Sequence, residues 1–293
     1  MEIKVENLSK NFKNKKALNN VSLDLQSGGL IGLIGPNGAG KSTLFNILTT
    51  LQKPTTGKIF LNNKDIVKNP SLMQKNMGFM PQKVPFLPNL TLKEYLNYIA
   101  GIKGIPARNA KMEIESLITK FNLLTVPKKQ TLSHFSGGMI QRVGMCVALM
   151  GNPQIIVVDE PTAGLDPEER INLRNILSEL AAEKLVIMST HIISDIEAVA
   201  NKIIVLKDGK VKYDGSAIDL MSKASKNVWS MTFPTQTSIK EIEKLGKVSS
   251  IVQTMDGIQA RIIANQKPTA NSINVKPHLE DAYLFLESEG DKA

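Results

Sequence analysis

The 293-residue chain is 42% hydrophobic and 22% charged, enough apolar material for one sizeable core and a smaller second one, so a globular protein is expected. No stretch reaches the roughly 18 apolar residues of a membrane-spanning helix, and Met1-Glu2-Ile3-Lys4 has neither the basic flank nor the apolar core of a signal peptide, so a cytoplasmic location is expected. The net charge of +9 lies wholly before Ser216, because residues 216–293 carry nine basic and nine acidic side chains; a basic surface suits nucleic acid, anionic lipid or a nucleotide, or is simply a solvated face.

Up to Gly215, β-branched and Leu-rich runs alternate with helical patterns, which predicts an α/β domain, a sheet covered by helices on both faces. The first run, Leu30 to Ile34, reads as a strand. It leads into Gly35-Pro36-Asn37-Gly38-Ala39-Gly40-Lys41-Ser42-Thr43, and a helix is predicted from Ser42 to Gln52, ahead of Pro54. Glycines let backbone N–H groups turn toward a phosphate chain, and a helix N-terminus adds a favourable field for the anion. Lys41 is expected to reach the β and γ phosphates and the Ser42 hydroxyl to bind Mg²⁺.

Ser136-Gly137-Gly138 opens a helix predicted to run to about Met150, which makes a second anion site from free N–H groups; Ser136 also reads simply as an N-cap. Cys146, the one cysteine, excludes an internal disulfide, and its apolar neighbours predict a buried helix face. The run Ile155 to Val158 ends in Asp159-Glu160. Such a pair is a solvated strand end, a helix cap, or, beside Lys41, a Mg²⁺-holding carboxylate (Asp159) and a base for the attacking water (Glu160). Leu185 to Thr190 is a further strand, with His191 at its carboxyl end.

Beyond Ser216 the pattern predicts a small α+β domain. Its elements are a strand over 228–233, a helix over 238–245, a hairpin joining 248–254 to 258–263 through Asp256-Gly257, and a helix over 279–287.

Over roughly residues 2 to 215 the sequence resembles the ATP-binding cassette (ABC) family. The resemblance rests on Phe12 in Leu-Ser-Lys-Asn-Phe, the loop 35–43, Gln82 in Gly-Phe-Met-Pro-Gln, Ser136-Gly137-Gly138, Asp159-Glu160-Pro-Thr, Ala163-Gly164-Leu165-Asp166-Pro167, and His191 in Ser-Thr-His. Many ATPases have the phosphate loop, whereas Ser-Gly-Gly ahead of a strand ending in Asp-Glu-Pro-Thr is far more specific. The fold it implies is a P-loop NTPase-type ABC ATPase domain over 1–215, with a helical signature subdomain over about 84–150, followed by an accessory domain over 216–293.

The same resemblance implies the remaining roles. Phe12 stacks on adenine; Asn37, Gly38, Ala39, Gly40, Lys41, Ser42 and Thr43 hold the phosphates; Ser42, Gln82 and Asp159 serve Mg²⁺. Glu160, His191 and Gln82 are catalytic, with His191 positioning Glu160 and its water. Ser136, Gly137, Gly138 and Asp166 act across a head-to-tail dimer, on the nucleotide held by a second ATP-binding subunit, identical or paralogous. The expected partner is an integral-membrane permease, the cofactors ATP and Mg²⁺, and the location peripheral on the inner face of the cell membrane.

Phe135-Ser-Gly-Gly-Met139, the segment 84–106 and the tail phrase from Pro277 to Leu286 resemble the bacterial drug, antimicrobial-peptide and ion exporter branch, so export is implied; Met139 stands where the family usually has Gln and is left out of the site. A nucleic-acid-acting cassette protein is the rival, and such proteins usually carry two cassettes or a long insertion that this sequence does not have, so no nucleic acid is expected. The tail either steadies a dimer, senses a ligand or regulates.

Overall fold

The computed structural model describes residues 1–13 and 15–290, the side chains of 289 and 290 aside. The chain divides into two compact units, Met1–Asp214 and Gly215–Ala293.

In the first unit β1 (Glu2–Phe12), β2 (Lys15–Gln26), β3 (Gly29–Ile34), α1 (Lys41–Leu48), β4 (Thr56–Leu61), β5 (Lys64–Asp65), α2 (Ser71–Asn76) and β6 (Met77–Met80) come first. Then follow α3 (Leu92–Ile102), α4 (Ala107–Lys120), α5 (Gly137–Leu149), β7 (Ile155–Asp159), α6 (Pro167–Ala181), β8 (Leu185–Ser189), α7 (Ile193–Glu197), β9 (Ala200–Lys207) and β10 (Lys210–Gly215). The central sheet has the order β10-β9-β3-β8-β7-β6, and the five strands from β9 to β6 are parallel to one another. Its middle strands are apolar because both faces are covered; every residue of β7 and β8 is buried.

A second, antiparallel sheet, β2-β1-β4-β5, was not expected from the sequence. Its signal is alternation: Val21, Leu23 and Leu25 are buried while Ser22, Asp24 and Gln26 point to solvent. Helix α1 joins the two sheets into one core, since Leu44, Phe45, Ile47 and Leu48 pack in a cluster with Ile3, Val5 and Ile59 of one sheet and Leu33, Val157 and Ile187 of the other. The helix is shorter than the predicted 42–52. It stops at Leu48, and Thr50 turns to φ 62°, where the helix cannot continue. Helices α3, α4 and α5 pack on one another. Cys146 of α5 is buried, and that burial pushes its thiol up to about 12.

The second unit has α8 (Ala217–Lys223), β11 (Val228–Phe233), α9 (Ile239–Glu243), β12 (Lys247–Thr254), β13 (Gly257–Ile263), β14 (Ile273–Asn274) and α10 (Leu279–Gly290). Its antiparallel sheet runs β12-β13-β11-β14. Thr254 pairs with Gly257, so the hairpin loop is Met255-Asp256, and Gly257 belongs to the strand rather than to the turn expected at Asp256-Gly257. Only glycine fits there: φ is 129°, and a Cβ would lie 2.2 Å from the Phe233 carbonyl oxygen. Among the described residues no helix is long and apolar enough to cross a membrane.

Candidate functional site

Strands β3, β6, β7 and β8 are parallel, so their carboxyl ends open on one side of the sheet, where ligands of such sheets bind. The loop after β3 carries residues 35–40 into α1. Gly40, the residue before that helix, has φ 107°, and a Cβ there would meet the Ala17 carbonyl oxygen at 2.5 Å, so the loop can lie this close to β2 only with glycine. A cleft of about 260 Å³ follows the loop. It is lined by Phe12, by every residue from Asn37 to Thr43, by Gln82 from the segment after β6, and by Asp159 and Glu160 at the end of β7.

Lys41 is largely buried, and its ammonium donates to the carbonyl oxygens of Gly35 (2.6 Å) and Pro36 (3.3 Å). Burial lowers its pKa, and the nearby Glu160 and Asp159 carboxylates partly offset this. Both carboxylates are buried and both have partners. The Ser189 hydroxyl donates to Asp159 Oδ1. Glu160 Oε2 accepts from His191 Nδ1 at 2.7 Å and from the His191 backbone N–H at 3.3 Å. With Nδ1 donating, the Nε2 edge of the exposed imidazole is left for another partner.

Glu160 itself has φ 51°, a conformation that costs a non-glycine residue about 1–2 kcal/mol. It is held by its own N–H on Ser189 O at 2.9 Å and by its carbonyl accepting from Ala163 N at 3.2 Å. Phe12 is 43% exposed; the Lys10 ammonium lies 5.1 Å from its ring centroid and donates to Lys53 O at 2.7 Å. Lys10 is not among the residues lining the cleft.

Ser136, Gly137, Gly138 and Asp166 do not line the cleft. They gather elsewhere on the same unit. Ser136 caps α5 by accepting from Met139 N at 3.2 Å, and Asp166 caps α6 by accepting from Glu169 N at 2.9 Å. Gly138 packs against Leu165, Gln141 Nε2 donates to Ala163 O at 3.4 Å, and Arg142 pairs with Glu169 at 3.0 Å. Sequence reasoning missed Lys15 and Ala17, which line the cleft from β2, and Ser189, which holds Asp159. The alternation of β2 was the available signal for the first two; nothing local pointed to Ser189.

The residues present fit a Mg-nucleotide. The cleft combines the glycine-rich loop 37–43, a buried ammonium and the oxygens of Ser42, Gln82 and Asp159, a hard-donor set of the kind Mg²⁺ takes.

Residues 18–163 match the family model described as ABC transporter. The chain is 33% identical over 255 residues to ABC transporter A family member 8 of Dictyostelium discoideum, covering 85% of this chain and 30% of that protein. It thus spans under a third of that relative's length. It is 30% identical over 255 residues to the uncharacterized ABC transporter ATP-binding protein YxlF of Bacillus subtilis, covering 85% of this chain and 82% of that protein. Among solved structures it is similar to an ATP-binding subunit of an ABC transporter (TM-score 0.70, 28% identity, 76% of this chain and 93% of that one). It is also similar to a dimeric post-hydrolysis ATP-binding cassette bound to ADP and Pi (TM-score 0.68, 29% identity, 73% of this chain and 98% of that one).

Proposed function

The chain belongs to the family of ABC transporter ATP-binding proteins, and from that premise we propose that it binds ATP with Mg²⁺, hydrolyses it, and so drives export through an integral-membrane permease. It works as one of a pair of cassettes on the inner face of the cell membrane. The observation that carries this reading is the meeting of Lys41 and Glu160 in one cleft, with His191 hydrogen-bonded to the Glu160 carboxylate.

In this reading the Phe12 ring offers adenine the face that Lys10 leaves open. Lys41 exchanges its two carbonyl acceptors for phosphate oxygens, setting a fixed positive charge where negative charge gathers in the transferred group. Mg²⁺, when bound, neutralises phosphate charge, and Ser42, Gln82 and Asp159 supply oxygens to hold it. The Glu160 carboxylate accepts a proton from the water whose oxygen attacks the γ phosphorus; the bond to the bridging oxygen breaks, giving ADP and phosphate. His191, through Nδ1, fixes the direction of that carboxylate. Ser136, Gly137, Gly138 and Asp166 serve the nucleotide of the second cassette, a pairing supported by the likeness to a dimeric cassette bound to ADP and Pi. Residues 216–293 form an accessory domain that steadies this pair.

The test is ATP turnover of the chain beside Glu160→Gln, with light scattering in Mg-ATP. The variant is expected to lose turnover by about a hundredfold or more and to accumulate as an ATP-bound dimer. Equal turnover in the two proteins would remove Glu160 from the role of base.

A further inference from the structure

We propose that Lys15 is a further nucleotide-binding residue, its ammonium meeting the phosphate chain of ATP from the solvent side of the loop that the buried Lys41 serves from beneath. This rests on the ATPase reading above and adds to it a residue that lies outside the sequence motifs.

Lys15 opens β2 and lines the same cleft as Asn37 to Thr43. A Cβ built on Gly38 would lie 3.9 Å from its Nζ, so the ammonium hangs at contact distance over the middle of the phosphate loop. Strand alternation explains why it is this lysine. Lys15 and Ala17 both line the cleft, whereas Lys16, one residue on, points away from it and does not.

Lys15 is also the cross-strand partner of Phe12 in the β1–β2 ladder. Directly opposed residues stand side by side, so the stacking ring and the ammonium form one wall, leading from the base position to the phosphate loop.

The charge balance of the cleft points the same way. Asp159 is bonded to Ser189 and Glu160 to His191, and it is Lys41 that feels these two carboxylates. The Lys15 side chain has no hydrogen bond or ion pair among the described residues, so its charge stands at the mouth of the cleft without an anion. A polyphosphate supplies one. An exposed ammonium of this kind acts on affinity rather than on the chemical step, and its effect is screened by salt.

The experiment measures ATP and AMP affinity and steady-state ATP turnover of the full chain as wild type, Lys15→Gln and Lys15→Arg, at low and high ionic strength. Lys15→Gln is expected to raise the Kd and KM for ATP about tenfold at low salt, with kcat within about twofold of wild type. The loss for AMP is smaller, Lys15→Arg restores affinity, and high salt narrows the difference between wild type and Lys15→Gln. If Lys15→Gln binds ATP within twofold of a wild type that itself binds, the inference is overturned and the ATPase reading stands. A fall in kcat and melting temperature together, with KM unmoved, overturns it equally, since that is a structural role. A wild type that fails to bind ATP at all refutes the ATPase reading on which the inference rests.

Discussion

Glu160 and His191 come from different strand ends, and two hydrogen bonds align them, from Nδ1 at 2.7 Å and from the His191 backbone N–H at 3.3 Å. The backbone of Glu160 has little freedom, because it is pinned in a left-handed conformation by bonds to Ser189 and Ala163. Removing the imidazole leaves the Glu160 carboxylate buried, held only by the longer bond from the backbone N–H of residue 191, and freer to turn about its side-chain bonds. His191→Ala is therefore expected to lower kcat by about a hundredfold while changing KM for ATP by less than about threefold, because misorientation penalises the transition state more than binding. A KM that rises while kcat holds would make His191 a binding residue instead. At this scale the phosphate loop, Asp159 and Glu160 were legible in the sequence, since each lies within a few residues of the strand end that presents it. Lys15 and Ser189 were not. Lys15 comes over the loop through the β1–β2 ladder, opposite Phe12, and Ser189 comes to Asp159 through the β7–β8 pairing.

Helix α5 is fixed at both ends. Ser136 caps its first turn, and at the other end the Lys103 ammonium donates to Val147 O at 2.8 Å and Met150 O at 2.7 Å while Glu113 accepts from Gly151 N at 2.6 Å. Burial lowers the Lys103 pKa, with Glu113 partly offsetting it. The second unit has a comparable fastening where α10 meets its sheet. Asp281 is 2% exposed and takes bonds from Arg261 at 2.5 Å, from Ser249 and from the His278 N–H at 2.8 Å. Burial alone would raise its pKa; the three hydrogen bonds and the guanidinium charge outweigh this and hold it below the usual carboxylate range. Asp281→Ala is expected to destabilise this unit by about 3 kcal/mol, because it leaves a guanidinium largely buried without its anion. A loss below about 1 kcal/mol in chemical denaturation would show the pair to be solvent-screened. The sign with pH follows from the lowered pKa: the carboxylate contributes its stability above the unfolded value of about 4 and loses it as pH falls through the folded value, so wild type and Asp281→Ala should converge in acid.

For the whole molecule, the decisive fact is that the Ser136–Gly138 helix end and Asp166 lie apart from the cleft that holds Lys41. In the proposed pairing of two cassettes, one copy carries two half-sites. Turnover per chain is expected to rise with chain concentration and to level off once dimers are saturated; a rate per chain that stays flat on wide dilution would mean that one copy is sufficient. The sequence by itself determined the phosphate loop, the acidic strand end and the capped signature helix. Each is a contiguous stretch whose local conformation depends on its own backbone angles and caps. Which of these pieces share a cleft, and which distant side chains stand around it, was decided only by the order β9-β3-β8-β7-β6 and by the antiparallel sheet that brings Phe12 and Lys15 over the loop. The physical reason is that β7 and β8 are buried on both faces along their whole length, so their apolar composition tells that they are central and says nothing about who their neighbours are.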